Sequence, residues 1–247
     1  MFFEGIGGRM NYRIWRGSDD IQAVMVFLHG LGQCSANYHR YARAMNRSGI
    51  EVWGLDHIGH GLSEGDPDPL PQLPMLVANA ELFLNMAAAD HPGVPLVLAG
   101  HSLGAGVSLL AMDRFGPAVQ QVRGVALTGT PTLDVVMRLS PPAVPTLLLH
   151  GDDDRIAAIG PVQHWAARDS RAEFRVFHGA GHDLLHEPVH RQVQKSIVEF
   201  VHQRIVCPPS RLHHRSAAAG PAVGDAGSAN AYPGGSGRAI RAAIRRS

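Results

Sequence analysis

The sequence predicts an α/β fold with a mostly parallel β-sheet that carries helices on both faces. Short apolar runs rich in β-branched residues alternate with segments of helical length through the first 206 of the 247 residues. Such alternation is typical of βαβ units, because parallel neighbours in a sheet need a long crossover between them. Hydrophobic residues make up 45% of the chain, which is enough for a sizeable core.

Two apolar runs, AVMVFLHG (23–30) and VPLVLAG (94–100), have the composition of buried parallel strands, which contact the core on both sides. Four further strands are predicted at the start of IEVWGLDHIGHG (50–61) and over VRGVALTG (122–129), VPTLLLHG (144–151) and EFRVFHG (173–179). An earlier segment, GRMNYRIWRG (8–17), alternates apolar and polar residues instead. That alternation predicts an antiparallel strand at the edge of the sheet.

Helical segments lie between the predicted strands. SANYHRYARAMNRSG (35–49) begins with a capping serine and ends at a glycine, which are typical signals of helix boundaries. The other predicted helices are residues 75–90, LGAGVSLLAMDRF (103–115), GPVQHWAARD (160–169) and PVHRQVQKSIVEFVHQRI (188–205). A proline-rich loop from Pro67 to Pro74 precedes the helix at 75–90. These helices supply the crossovers that a parallel sheet requires.

The alternation of strands and helices stops near residue 206, so we predict a core domain over residues 1–206 and a tail over residues 207–247. The tail is rich in Ala, Gly, Pro and Ser, and it carries six arginines but only one aspartate. A composition of this kind cannot bury a core and predicts a disordered, basic tail. A nucleic-acid-binding or membrane-binding arm built on its final segment RAIRAAIRR is the alternative.

Bulk properties exclude several classes of protein. A net charge of +1 gives no indication of a nucleic-acid partner, and two cysteines are too few for a disulfide framework. The opening segment MFFEGIGGRMNYRIW lacks the basic stretch and long apolar run of a signal peptide. No segment approaches the length of apolar sequence that spans a bilayer. We therefore expect a soluble, cytoplasmic protein with at most peripheral membrane contact.

The segment VPLVLAGHSLGAGVSLLAM (94–112) places Gly-His-Ser-Leu-Gly between a predicted strand and a predicted helix. A serine at such a junction occupies a sharp turn that raises its hydroxyl above the sheet, and the flanking glycines leave room for the turn. The amide of Leu103, just after Ser102, falls at a helix N-terminus, where free N–H groups favour an anion. We interpret Ser102 as a candidate nucleophile.

A serine hydroxyl is a weak nucleophile until a base takes its proton. His182 lies in the glycine-rich segment FHGAGHDLLHE (177–187), between the last predicted strand and the last helix. The segment LLLHGDDDRIAAIGP (147–161) places three successive aspartates at the end of the preceding strand. Because loops after parallel strands gather at the carboxyl edge of the sheet, we expect Ser102, one aspartate and His182 to meet there.

Five ordered segments together resemble the α/β-hydrolase superfamily, in its branch of monoacylglycerol lipases and lysophospholipases. They are FLHGLGQCSANY, GLDHIGHGLSEGD, LAGHSLGAG, PTLLLHGDDDRI and FHGAGHDLLHE, and they cover most of residues 23–205. The resemblance implies the α/β-hydrolase fold and the chain order of serine, acid and histidine that this superfamily uses.

The resemblance also assigns roles within the site. It implies that Ser102 is the nucleophile, that His182 is the general base, and that the acid stands four residues after the histidine of HGxxD. That acid is Asp154 and not Asp152 or Asp153. The oxyanion hole would use the backbone N–H groups of Leu31 and Leu103. No metal and no organic cofactor is implied.

Other polar residues near these motifs have alternative interpretations. His57 and His60 stand three apart and suggest a metal site, but the resemblance implies that their segment is a tight structural turn. Asp56 would brace that turn, and His101 would be packed beside the serine. Cys34 follows the Leu31 loop and is interpreted as a small apolar residue, because Ser102 already supplies a nucleophile.

The sequence departs from the family pattern in two places. Relatives carry a cap domain of several dozen residues before the strand that leads to the acid, whereas residues 130–143 (TPTLDVVMRLSPPA) have room for one short helix and a turn. The cap is therefore expected to be absent or minimal. The pair Gln33-Cys34 also replaces the acidic residue and histidine that usually follow HGxG.

The function predicted from these features is a serine hydrolase that cleaves carboxylic esters through an acyl-enzyme. Its substrate would be a small ester or a lipid-like molecule, such as a monoacylglycerol, a lysophospholipid or a short- to medium-chain ester. The alternatives are an amide or peptide hydrolase or an acyltransferase on the same residues. A ligand-binding relative with little turnover is the alternative from a different functional class.

Overall fold

The computed structural model describes residues 1–17, 20–66, 73–114, 116 and 119–207. The strands are β1 Phe2–Gly5, β2 Gly8–Trp15, β3 Ala23–Leu28, β4 Ile50–Leu55, β5 Leu96–His101, β6 Val122–Thr128, β7 Thr146–Gly151 and β8 Ala172–Phe177. The α-helices are α1 His39–Asn46, α2 Leu73–Asp90, α3 Leu103–Asp113, α4 Asp134–Met137, α5 Ile159–Ala166 and α6 His190–Val201. A 3₁₀ turn, Ser35–Tyr38, precedes α1.

All eight strands form one sheet in the order β1-β2-β4-β3-β5-β6-β7-β8. From β4 to β8 each strand pairs in parallel with its neighbour, whereas β2 pairs antiparallel with both β4 and β1. This arrangement confirms the predicted α/β fold with a mostly parallel sheet.

Helices cover both faces of the sheet, as β3 illustrates. Val24, Val26 and Leu28 contribute to a cluster with residues of α2 to α5. The intervening residues Met25 and Phe27 contribute to a second cluster with α1 and α6. Every residue of β3 is buried, because successive side chains of a strand point to opposite faces and both faces are covered.

The prediction that GRMNYRIWRG forms the edge strand is wrong. β2 is antiparallel as expected, but β1 pairs with it in the register Phe2↔Asn11 to Gly5↔Gly8 and occupies the edge. The short segment FFEG followed by further glycines carries little strand signal of its own. It forms a strand because the turn at residues 6–7 returns the chain directly onto β2.

Two sequence predictions lie outside the described residues. Most of the proline-rich loop falls on residues 67–72, and almost all of the tail falls on residues 208–247, so the domain boundary at residue 206 stays a prediction. At the end of the described chain, α6 continues into a π-helical turn, His202–Val206. Ile205 of that turn packs so closely over Gly124 of β6 that a side chain at position 124 would collide with it.

The expected absence of a cap domain is confirmed within the described residues. The chain between β6 and β7 is described throughout, and its regular structure is the four-residue α4. Among the helices of the described ranges, none is both long enough and apolar enough to cross a membrane.

Candidate active site

Ser102 occupies a strained turn between β5 and α3. Its φ of 51° is the one positive φ among non-glycine residues of the described part of the chain. A backbone of this kind costs about 1–3 kcal/mol and persists where the surrounding structure enforces it. A Cβ at Gly100 would collide with the carbonyl of Gly104, and a Cβ at Gly104 with the carbonyl of Leu28. The two glycines of Gly-His-Ser-Leu-Gly are thus required by the close approach of β5, α3 and β3.

The structure brings Ser102, His182 and Asp154 into one hydrogen-bonded chain. His182 Nε2 lies 2.8 Å from Ser102 Oγ, and His182 Nδ1 lies 2.7 Å from Asp154 Oδ2. A carboxylate only accepts, so Nδ1 carries the proton and Nε2 is left to accept from the serine hydroxyl. The arrangement suits proton abstraction from Ser102 by His182.

Four groups surround the Asp154 carboxylate. Oδ1 accepts hydrogen bonds from the amides of Ile156 at 2.9 Å and Ala157 at 2.8 Å. Burial alone would raise the pKa of Asp154, but His150, His182 and the Ala157 amide outweigh it and hold that pKa well below its usual value. Asp154 is therefore ionised at neutral pH, as a partner that orients an imidazole must be.

The two neighbouring aspartates have other partners. Asp152 accepts from His178 Nδ1 and from the Gly179 amide, each at 2.7 Å. Asp153 pairs with Arg155 at 3.2 Å at the surface. Of the three successive aspartates, Asp154 is the one in contact with His182.

The loop that carries His182 is held by Glu187, which the sequence analysis did not single out. The Glu187 carboxylate accepts hydrogen bonds from the amides on either side of the histidine, Gly181 at 2.7 Å and Asp183 at 3.0 Å. The sequence shows this residue as a glutamate five positions after His182, at the end of the segment FHGAGHDLLHE. The contacts of Glu187 fix the backbone on both sides of His182.

One predicted oxyanion residue, Leu103, follows Ser102 directly, and the other, Leu31, follows a glycine that lies beside Ser102. Leu103 is the first residue of α3, so its N–H has no partner within the helix. Leu31 follows Gly30, which lies so close to the serine that a Cβ there would stand 3.3 Å from Ser102 Cβ. The Gly30 amide donates to Gln33 Oε1 at 2.9 Å, which closes the loop into a tight turn beside Ser102.

A family model described as serine aminopeptidase, S33, matches residues 19–142, half of the chain. The chain belongs to this α/β-hydrolase family. The match includes the Leu31 loop and the turn at Ser102 but ends before Asp154 and His182.

Curated relatives of this S33-family chain match it over part of their length. A monoacylglycerol lipase of Mycolicibacterium smegmatis is 33% identical over 150 residues, which cover 56% of this chain and 54% of that protein. A monoglyceride lipase of Homo sapiens is 31% identical over 105 residues, which cover 42% of this chain and 35% of that protein. The chain thus spans about half or less of the curated relatives it matches.

Solved structures share the fold at low sequence identity. A soluble variant of monoglyceride lipase from Saccharomyces cerevisiae superposes with a TM-score of 0.72 at 14% identity, covering 81% of this chain and 95% of that one. Est1E from Butyrivibrio proteoclasticus gives a TM-score of 0.70 at 16% identity, covering 83% and 99%. At these identities the likeness extends to the fold.

Gln33, one of the departures from the family pattern, links the Leu31 loop of this S33-family member to the loop of His182. Its Oε1 accepts from the Gly30 amide and from the Tyr38 hydroxyl, while its Nε2 donates to Asp183 Oδ2 at 3.4 Å. Burial raises the pKa of Asp183, but the hydrogen bond from His186 and nearby histidines outweigh it, so the pKa lies below its usual value. An acidic residue at position 33 would face this carboxylate, whereas the glutamine amide binds it.

The segment after β4 is a rigid turn built around Asp56. The Asp56 carboxylate accepts from the amides of Ser35 at 2.6 Å and Leu62 at 3.1 Å, and from Asn11 Nδ2 at 2.7 Å. The His57 amide donates to His29 Nε2 at 2.9 Å, and burial lowers the pKa of His29 to about 4. The turn thus supports the loop that begins at His29.

Three other residues near the sequence motifs, His60, His101 and Cys34, have contacts of their own in the structure. His60 is buried and its Nδ1 lies 3.0 Å from the Ile58 carbonyl. His101 is buried, and its ring centroid lies 5.0 Å from that of His182. Burial lowers the pKa of His101 to about 4, and the electrostatic effect of His182 adds to this lowering. Cys34 is half-buried, and its amide donates to Asn37 Oδ1 at 2.8 Å.

Proposed function

We propose that this chain is a serine hydrolase that cleaves carboxylic esters through an acyl-enzyme. The observation that carries the proposal is the hydrogen-bonded chain from Ser102 through His182 to an ionised Asp154, with contacts of 2.8 and 2.7 Å. Membership of an α/β-hydrolase family and curated relatives that are monoacylglycerol lipases support it.

In the proposed reaction, Ser102 Oγ attacks the ester carbonyl while His182 Nε2 takes the hydroxyl proton. Asp154 holds the imidazole in the required tautomer and stabilises its charged form. The amides of Leu31 and Leu103 bind the oxyanion of the tetrahedral intermediate. His182 then returns the proton to the leaving alcohol, and an activated water hydrolyses the acyl-enzyme by the same steps.

The proposed substrates are monoacylglycerols, lysophospholipids or short- to medium-chain esters. Four large apolar side chains are exposed on the connections that leave the carboxyl edge of the sheet, where Ser102 lies: Leu31, Leu62, Val135 of α4 and Ile156, with exposed fractions of 40, 61, 40 and 65%. They offer contacts to the first part of an acyl chain. The described part of the chain supplies no cap that would extend this apolar wall, and each CH₂ left in water forgoes about 0.8 kcal/mol of burial.

An amide or peptide hydrolase on the same residues is the second candidate, favoured by the description of the family as serine aminopeptidases. The chemistry of attack and proton transfer would be the same, with an amine as the leaving group. An acyltransferase would form the same acyl-enzyme, but a molecule other than water would accept the acyl group.

The test is a p-nitrophenyl ester series from acetate to palmitate, combined with phosphonate labelling. We expect a phosphonate to modify Ser102, esters to turn over many times, and kcat/KM to rise to medium chain length and then level off. No increase in rate is expected when the substrate passes from monomers to micelles, because the described part of the chain contains no cap that could open as a lid. Labelling without turnover would favour a ligand-binding relative. Faster cleavage of matched p-nitroanilides would favour the amide hydrolase, and a steady rise to palmitate would contradict the open cleft.

The hydrogen bonds by which Gln33 links the Leu31 loop to the loop of His182 give a more specific prediction. Gln33→Glu keeps an oxygen that can accept from the Gly30 amide and the Tyr38 hydroxyl, but it places a carboxylate oxygen opposite Asp183, where the amide nitrogen lies at 3.4 Å. Because like charges at this separation repel strongly, we expect kcat/KM to fall about tenfold or more at neutral pH. The deficit should shrink as the pH falls and one of the two carboxylates takes up a proton. Gln163→Glu, the same change at an exposed position on α5, is the control. Equal loss at every pH would contradict the charge argument.

A further inference from the structure

His150 lies on β7 directly behind the candidate acid. Its side chain is fully buried, and its ring stacks on Phe174 with centroids 6.2 Å apart. Its Nε2 lies 2.8 Å from the Ala157 carbonyl and 3.2 Å from Asp154 Oδ2. In the sequence this histidine begins the HGxxD spacing, and no role was predicted for it.

The contacts of His150 define its tautomer. Nε2 faces two oxygens that only accept hydrogen bonds, so it carries the proton. Nδ1 is buried without a hydrogen-bond partner. A proton on Nδ1 would be a buried donor without an acceptor, which is costly. The ring therefore presents one N–H, on Nε2, to Ala157 and Asp154 together.

The two oxygens that His150 faces, the Ala157 carbonyl and Asp154 Oδ2, belong to residues that are themselves hydrogen-bonded to each other. The carbonyl of Ala157 accepts from His150, while the amide of Ala157 donates to Asp154 Oδ1 at 2.8 Å. The carboxylate is thus held on one oxygen by a turn that His150 anchors. On the other oxygen, His182 at 2.7 Å and His150 at 3.2 Å approach together.

We propose that His150 is a positioning residue that orients the Asp154 carboxylate and limits how strongly this carboxylate attracts the proton of His182. The inference rests on the proposed function, in which His182 is the base. The N–H of His150 stabilises part of the negative charge on Asp154 Oδ2. The carboxylate therefore stabilises the charged form of His182 less than it would without this contact. His101, whose ring centroid lies 5.0 Å from that of His182, and Asp183 are further titratable groups beside His182.

The experiment compares three substitutions at this position in the full chain. His150→Leu removes the donor, His150→Gln places an amide N–H near the position of Nε2, and His150→Asn places it one atom short. Thr146→Val, a buried polar-to-apolar change at the other end of β7, is the matched control. The readout is kcat/KM for a p-nitrophenyl ester across the pH range.

We expect His150→Leu and His150→Asn to lower kcat/KM about tenfold to hundredfold, as the loss of a hydrogen bond to a charged group predicts. The acid limb of their pH profile should move to higher pH, because Asp154 then attracts the proton of His182 more strongly. His150→Gln should recover most of the rate and the original limb. Should the leucine variant not fold, the asparagine and glutamine pair gives the same comparison.

A measurement without substrate separates this inference from the proposed function. Proton NMR of the folded variants follows the His182 Nδ1–H resonance, whose position and titration report its bond to Asp154. A shift in that titration in the leucine and asparagine variants supports the inference even if no ester is hydrolysed. An unchanged limb and an unchanged titration would overturn it, and so would an equal rate loss in Thr146→Val.

Discussion

Replacing Ser102 with alanine is expected to lower ester hydrolysis by about 10³-fold or more, because the attacking oxygen is removed while the rest of the site remains. The free energy of unfolding should change little. Ser102 Oγ contacts His182, and alanine occupies the same turn at a φ of 51° with a similar steric cost. The measurement is kcat/KM beside a denaturant titration. Retention of more than a tenth of the wild-type rate would rule out Ser102 as the nucleophile.

Asp154→Asn is expected to have the second-largest effect, a loss of about 10³–10⁴ in kcat. An asparagine amide can donate to His182 Nδ1, which stabilises the tautomer with a proton on Nε2. His182 can then no longer accept the proton of Ser102. Because the pKa of Asp154 lies well below its usual value, this carboxylate should stay ionised under mild acidification.

The chain supplies matched controls for the aspartate. Asp152→Asn and Asp153→Asn make the same chemical change on neighbouring residues whose partners are His178, Gly179 and Arg155. Both should retain most of the wild-type kcat, measured with the same ester. A larger loss in Asp153→Asn than in Asp154→Asn would show that the HGxxD spacing was applied to the wrong residue.

The fold was predictable because its signals are local. The apolar runs of β3 to β7 predicted strands, and the glycines around Ser102 indicated the turn before α3. The edge strand β1 was missed because FFEG is short and its stability comes from pairing with β2, which no local pattern encodes. Side-chain alternation gave the correct antiparallel pairing of β2 but carried no information about a further neighbour.

Part of the site was likewise predictable and part was not. Ser102 and His182 were predicted from their positions between a predicted strand and a predicted helix, and the HGxxD spacing implied by the family resemblance selected Asp154. The bonds of Gln33 to Asp183 and of Glu187 to the amides beside His182 were not predictable. The first joins residues 150 apart in the chain. The second depends on the path of a loop, which composition does not determine.

Among the described residues, β8 is the last strand of the sheet and pairs with β7, and most of its residues are only half-buried. His182 is attached to the chain just beyond this strand, whereas Ser102 follows the fully buried β5. Opening of a sheet margin needs less free energy than unfolding of the centre. Fraying at this margin would separate His182 from Ser102 while the interior of the molecule stays native. For the proposed hydrolase, resistance to inactivation would then depend on how firmly β8 is held as well as on the global stability of the domain.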